Sequence, residues 1–299
     1  MLWAYATSEH FSPELFDASA SEAIQRLAAF KTQEISNLLW AYGKIGHASP
    51  DLFDEAAIEV VKKMNVFKPQ ELSNMMFAFA RNGHSSPQLF DIAAEEAIRK
   101  IDIFKTQEIS NTLWSLAVMN CNVESALLLF PTVLEIHDSE TISFSSDELR
   151  QLHQVILWLT IENQRMCNIP DELEEKCLSA FLRQQKQLSK FQNNVMSSFE
   201  SLDLNVQEEV TCQRTGYSID AIVTTKDGIE IAVEVDGPSH FVGRLPTGSS
   251  ILKRRLLKNI GSWPLLSLPY WKWNEVGLDE KKQQALLEAE IKNVSLDIK

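Results

Sequence analysis

Four side chains of this chain have the types and the spacing to act together. Residues 229–241 read IEIAVEVDGPSHF and set Glu234, Asp236 and His240 at the end of a run carrying Ile229, Ile231, Val233 and Val235. The apolar run marks a buried strand, and side chains at i and i+2 of a strand share a face. Two carboxylates on one face repel, and desolvating either is costly, so the pair calls for a compensating cation. Asp-Gly-Pro alone would read as a turn, but Asp220 in the preceding apolar run YSIDAIV adds a third acid. Three acids and a histidine at strand ends resemble a metal or phosphate site more than a turn.

The elements that must position them begin near residue 206, where the hydrophobic period changes from helix to strand. Strands are predicted at 209–213, 217–224 and 229–236, with Lys226-Asp227-Gly228 as a hairpin turn. An amphipathic helix at 251–260, an apolar strand at 263–268 and a helix at 280–291 follow, and with a preceding helix the order is αβββαβα. Lys253, Arg254, Arg255 and Lys258 cluster just after the Gly/Ser-rich turn 247–250, at a helix start, where phosphate is favoured.

The N-terminal third is built differently. FKTQEISN at 30–37 returns at 104–111, with FKPQELSN at 67–74 between them, and LWAYA, LWAYG, MFAFA and LWSLA mark the same period of 37. Such self-similarity means a solenoid whose units bury their apolar faces on one another. Ile35, Leu38, Leu39, Tyr42 and Ile45 have helical spacing, Gly46 ends that helix, and Ser49-Pro50 opens the next. Each unit is therefore a helix pair. His10, His47 and His84 share one phase of the repeat and read as architectural. Asn37, Asn74 and Asn111 are identical, which suits a structural role or a uniform backbone contact. Lys44, Arg81 and Val118 differ from unit to unit, as do Ile45, Asn82 and Met119, which suits selection between bases. Residues 121–205 lose the repeat but stay helical, with helices expected at 123–136, 146–161 and 170–202. Met1 falls inside a unit, so the chain reads as a fragment or truncated gene product whose targeting segment would go unseen.

Composition bounds the partners. The 299 residues are 44% hydrophobic and 23% charged, as in a folded protein with room for two cores. No run of about 18 apolar residues exists, so no membrane helix is expected. Cys121, Cys167, Cys177 and Cys212 lack zinc or disulfide spacing, which fits a reducing compartment. The formal charge of −13 by itself argues against a nucleic-acid partner. Residues 1–205 hold 16 Lys/Arg against 28 Asp/Glu, whereas 206–276 hold eight of each. A polyanion must therefore meet a local patch.

On Asp220, the EVDGPSHF run at 234–241, the LKRRLLK run at 252–258 and LPYWKW at 268–273, the stretch from about 210 to 275 resembles a RAP domain. The 37-residue units look like the octotricopeptide or FAST-kinase-like repeats that precede RAP domains. The resemblance implies an α-solenoid of helix-pair repeats (1–120), a helical extension and linker (121–205), an α/β domain of restriction-endonuclease-like PD-(D/E)xK type (206–291), and a tail (292–299). It also implies an organellar factor, mitochondrial first and chloroplast second, that binds single-stranded RNA in transcript processing, stability or translation, in company with other RNA-processing proteins. The RNA contacts would come from Lys253, Arg254, Arg255, Lys258, Lys44 and Arg81. In a PD-(D/E)xK site Asp220 and Glu234 would hold Mg²⁺, with His240 as general acid or base. Asp236 stands where that motif has its lysine, which places hydrolysis in question. A metal-dependent endoribonuclease and an acidic protein-binding scaffold are the alternatives.

Overall fold

A computed structural model describes residues 1–139, 141–165, 168–183, 189–261 and 263–296. Glu140, Cys167, residues 184–188 of the helix expected at 170–202, and residues 297–299 of the expected tail lie outside the described residues. The chain forms two units, Met1–Phe181 with Phe241–Leu252, and Leu182–His240 with Lys253–Lys299.

The first unit is helical: α1 (Leu2–Thr7), α2 (Pro13–Arg26), α3 (Thr32–Ile45), α4 (Pro50–Lys63), α5 (Pro69–Arg81), α6 (Pro87–Arg99), α7 (Thr106–Met119), α8 (Val123–His137), α9 (Ser146–Leu157) and α10 (Asp171–Leu182). The odd-numbered helices α1 to α9 pack in succession, and the even-numbered α2 to α8 form a second layer. The recurring glutamate explains where each first-layer helix starts. Glu34, Glu71 and Glu108 accept the N–H of Lys31, Lys68 and Lys105 at 2.8, 3.0 and 2.7 Å, which satisfies a helix-end donor with no partner inside the helix. In the second layer Pro13, Pro50 and Pro87 stand in the first turn, while Ser12, Ser49 and Ser86 make no side-chain cap bond. Proline, with its φ already helical, sets that start. Gly46 ends α3 at φ 72°.

The periodic histidines are architectural. His47 Nε2 lies 2.8 Å from Asp17 Oδ1 and His84 Nε2 2.9 Å from Asp54 Oδ1, each reaching into the preceding unit. Lys63 Nζ donates to the carbonyls of Ala28 and Phe30, and Lys100 Nζ to those of Asn65 and Phe67. One long cation per unit thus fastens the turn of the unit before it.

The two-layer array runs past residue 120, where sequence reasoning expects the repeat to be lost. Helix α8 packs on α6 and α7, and α9 packs on α7. Glu148 accepts the Ser145 N–H at 2.7 Å, as its counterparts do in the regular units. Trp114 Nε1 donates to Gln154 Oε1 at 2.6 Å. The helix expected at 146–161 continues beyond Leu157 as a wider turn, Trp158–Glu162, pinned by Trp158 Nε1 to Asn120 Oδ1 at 2.8 Å.

After α11 (Lys190–Glu200) come β1 (Asn205–Thr211), β2 (Ser218–Thr224), β3 (Glu230–Asp236), the two-residue strands β4 (Phe241–Val242) and β5 (Leu245–Pro246), α12 (Gly248–Leu256), β6 (Leu265–Pro269), α13 (Tyr270–Val276) and α14 (Glu280–Leu296). The chain is thus a helical repeat array followed by a small sheet-containing C-terminal domain. The sheet order is β1-β2-β3-β6; β1 to β3 are antiparallel, and β6 runs parallel to β3 with Glu234 opposite Ser267. Val233, Val235, Leu266 and Leu268 face a core shared with Val195, Met196, Phe199, Trp273 and Leu287. Period-two alternation sends Glu234 and Asp236 to the opposite face.

Residues Phe241–Leu252, with the β4–β5 pair, pack within the first unit. Gly248 allows this: a Cβ there would overlap the Ala80 carbonyl oxygen and stand 2.9 Å from Val118 Cγ1. Gly83 at φ 63° lies under Ile251, 2.8 Å from where its own Cβ would be. Gly248→Val is therefore expected to unseat the segment. Hydrogen exchange should show lost protection at residues 245–252 with α2 and α4 still protected; unchanged protection would contradict the close approach.

Candidate functional site

The strand-end acids come together with two cations from α12. Glu234 and Asp236 are each 2% exposed, and Lys253 and Arg254 lie over them. Lys253 Nζ pairs with Glu234 Oε2, and Arg254 Nη2 donates to Asp236 Oδ2 at 2.7 Å. Ser267 Oγ donates to the same Asp236 oxygen at 2.6 Å, and His240 Nδ1 lies 3.1 Å from Asp236 Oδ1. Asp220 Oδ2 accepts the Val235 N–H at 2.8 Å. The sequence-predicted acids and histidine are therefore neighbours, and half of the predicted RNA-binding cluster is bound up with them.

The two buried carboxyls are driven in opposite directions. Burial pushes Glu234 up to about 7, against the pull of Lys253, and the nearby charges of Asp220 and Asp236 add to the rise. The Lys253 contact by itself would favour a charged pair, but desolvation dominates, because Glu234 Oε1 is buried without a hydrogen-bond partner. Burial also works to raise Asp236, but the His240 hydrogen bond, the Arg254 charge and the Ser267 hydroxyl outweigh it and hold that carboxyl below its usual value.

This arrangement does not fit a Mg²⁺ site. A hard cation takes several carboxylate or carbonyl oxygens free to turn toward it. Here an ammonium and a guanidinium occupy the positions that would balance the acids. Among the described residues no group of three or more His, Cys, Asp or Glu side chains is arranged to hold a metal ion.

The remaining predicted RNA contacts divide by exposure. Lys258 is exposed and Arg255 half-buried. The start of α12 is not an open anion site: Thr247 and Ser250 are buried, and Thr247 Oγ1 accepts the Ser250 N–H at 3.3 Å. Lys44 is exposed and lies 3.4 Å from Glu9. Arg81 turns back to donate from Nε to the Gly43 carbonyl at 2.9 Å, and burial lowers its pKa. Val118 is 2% exposed, against Gly248. Of the trio Lys44, Arg81 and Val118, the last two therefore serve packing.

Sequence reasoning named the recurring asparagines of the first-layer helices but missed the glutamines that stand beside them. Gln33, Ser36 and Asn37 of α3, with Lys68, Gln70, Glu71 and Asn74 at the start of α5, line a cavity of about 120 Å³. The signal was present, since Gln33, Gln70 and Gln107 recur four residues before Asn37, Asn74 and Asn111. Lys31, Lys68 and Lys105 recur at the helix starts and are exposed, and Lys68 lines the cavity. At the last interface the pattern closes: Asn111 is buried, and its Oδ1 accepts from Gln151 Nε2 at 2.9 Å. No helix among the described residues is long and apolar enough to cross a membrane.

Residues 3–125 match the family model described as RNA-editing substrate-binding complex 6 protein. A RAP domain-containing protein, chloroplastic, from Oryza sativa subsp. japonica is 35% identical over 94 residues, which is 31% of this chain and 14% of that relative. The chain thus spans a small part of the relative's length. Residues 233–289 match the RAP domain model, a span that takes in Glu234, Asp236, the α12 cations and β6. The chain carries a RAP domain at its C-terminal end.

Proposed function

We propose that the protein is an RNA-binding factor of an organelle, acting in the processing, stability or translation of a transcript without cutting it. One observation carries this reading: a repeat array similar to an RNA-editing substrate-binding complex protein and a RAP domain stand in one chain. The array offers an unpaired polar face suited to single-stranded RNA, whose bases are open to side chains. The period of 37 and the two-helix unit support kinship with octotricopeptide or FAST-kinase-like repeats. The sheet order, with β6 parallel to β3 and α12 between them, supports a restriction-endonuclease-like type for the C-terminal unit. Fold type alone does not bring chemistry with it, and the acids are neutralised from within. The chloroplastic relative supports an organelle; whether mitochondrion or chloroplast is decided by where the protein is imported in cells. Association with other RNA-processing proteins belongs to the same reading.

The test is equilibrium binding of the chain to labelled single-stranded RNA, duplex RNA and single-stranded DNA, followed by crosslinking and sequencing of bound RNA in cells. Single-stranded RNA should bind best and remain whole after incubation with Mg²⁺ or Mn²⁺. Absence of binding rejects the reading. Metal-dependent shortening of the probe that is lost in Glu234→Gln would establish the endonuclease instead.

A further inference from the structure

Four side-chain amides in the first unit are open to solvent and unused by the fold. Gln33, Asn37, Gln70 and Asn74 converge on the cavity between α3 and α5, and among the described residues none of them makes a side-chain hydrogen bond. The contrast lies two grooves further on, between α7 and α9. Asn111, at the same repeat position, is buried and bonded to Gln151, so the fold can satisfy this amide where the array continues to α9. Between α3 and α5 it leaves the amides open. The structural work at this interface is done by other groups: Ser36 Oγ donates to the Glu71 carbonyl at 2.9 Å, and Glu71 caps α5. The amides are therefore not needed to hold the helices together.

We infer that this hollow seats one nucleotide of single-stranded RNA by its polar edge, without regard to which base it carries. The inference rests on the RNA-binding reading above and names its site. An amide side chain donates and accepts at once, so a pair of Gln and a pair of Asn can meet a ribose 2′-hydroxyl or the edge of any base. A site for a bare anion would need cations or backbone N–H groups instead. Lys68 at the rim supplies one charge for the adjoining phosphate, with the start of α5 behind it. Because the same residue types return after 37 residues, neighbouring units cannot tell bases apart through them. Uniform contact follows, and Gln107 returns the same glutamine on α7. Neutral amides release no counterions, so this contact adds affinity without adding salt dependence.

The test uses the full chain and fluorescein-labelled 15-mers of U, A and C read by anisotropy. The variant Gln33→Ala/Asn37→Ala/Gln70→Ala/Asn74→Ala should melt as the parent does and bind all three probes at least about tenfold more weakly, with the salt slope unchanged. A second variant, Gln33→Glu/Gln70→Glu, keeps size at two exposed positions and should lose as much through repulsion of phosphate. Unchanged binding of both variants overturns the inference and leaves RNA binding standing. A loss confined to one homopolymer overturns uniform contact. Failure of the parent chain to bind any probe overturns the RNA reading itself, and the inference with it.

Discussion

Replacing Asp236 with alanine is expected to cost the sheet-containing unit about 3–5 kcal/mol, the range for removing one partner of a buried ion pair. Asp236 is 2% exposed and receives hydrogen bonds from Arg254 at 2.7 Å and Ser267 at 2.6 Å. Without it the half-buried Arg254 guanidinium loses this carboxylate, and the Ser267 hydroxyl loses this acceptor. Urea unfolding followed by tryptophan fluorescence would read the loss. Adding Arg254→Met to Asp236→Ala should restore part of it, since a hydrophobic replacement of both partners carries no orphaned charge. A loss below about 1 kcal/mol, as for an exposed pair, would mean that the cluster stands open to solvent.

Glu234→Gln is expected to act in the opposite sense, and through pH. The Glu234 carboxyl rises to about 7 in the folded chain, against an ordinary value near ~4.3 in the unfolded one. Between those values the folded state holds a proton that the unfolded state has released, so stability falls as pH rises from about 4.5 to about 7. The full difference is on the order of 3 kcal/mol. Asp236 runs the other way: its depressed carboxyl contributes stability above its unfolded value, and that contribution is lost as the solution is acidified. Glutamine keeps the shape and cannot ionise, so the variant should lose the decline between pH 5 and 7 and be the more stable protein at pH 8. Parallel pH–stability curves for parent and variant would show that Glu234 does not titrate in that window.

The repeats were legible because their signal is local and recurs: one phrase at one period fixes helix starts, glycine stops and histidine roles together. The helices of the array's last pair were legible but their repeat phase was not, because Glu148 follows Glu108 by 40 residues rather than 37, and the loop before α9 breaks the phase while the packing continues. The acidic and basic motifs were each legible as charged clusters and misleading as separate sites. Glu234 and Lys253 are 19 residues apart, and Asp236 and Arg254 are 18. Only the return of α12 across the strand ends shows that the two clusters neutralise each other. The short helix α13 and the β4–β5 pair carry too few residues to show a period.

The seat of residues Phe241–Leu252 has a consequence for the order in which the chain assembles. Neighbouring helices of one layer meet about one repeat apart, whereas Gly248 meets Ala80 across about 170 residues. Closing the longer loop costs about 1.4 kcal/mol more chain entropy than closing one of about 35 residues, and contacts of that separation slow folding. The surface that receives Gly248 is made by the ends of α5 and α7, so it exists only after those helices have stacked. Refolding should therefore show an early phase in which the array gains its helicity and a later one in which residues 241–252 become protected. A nascent chain leaving the ribosome would hold a finished array whose Gly248 seat stays empty until the C-terminal third emerges.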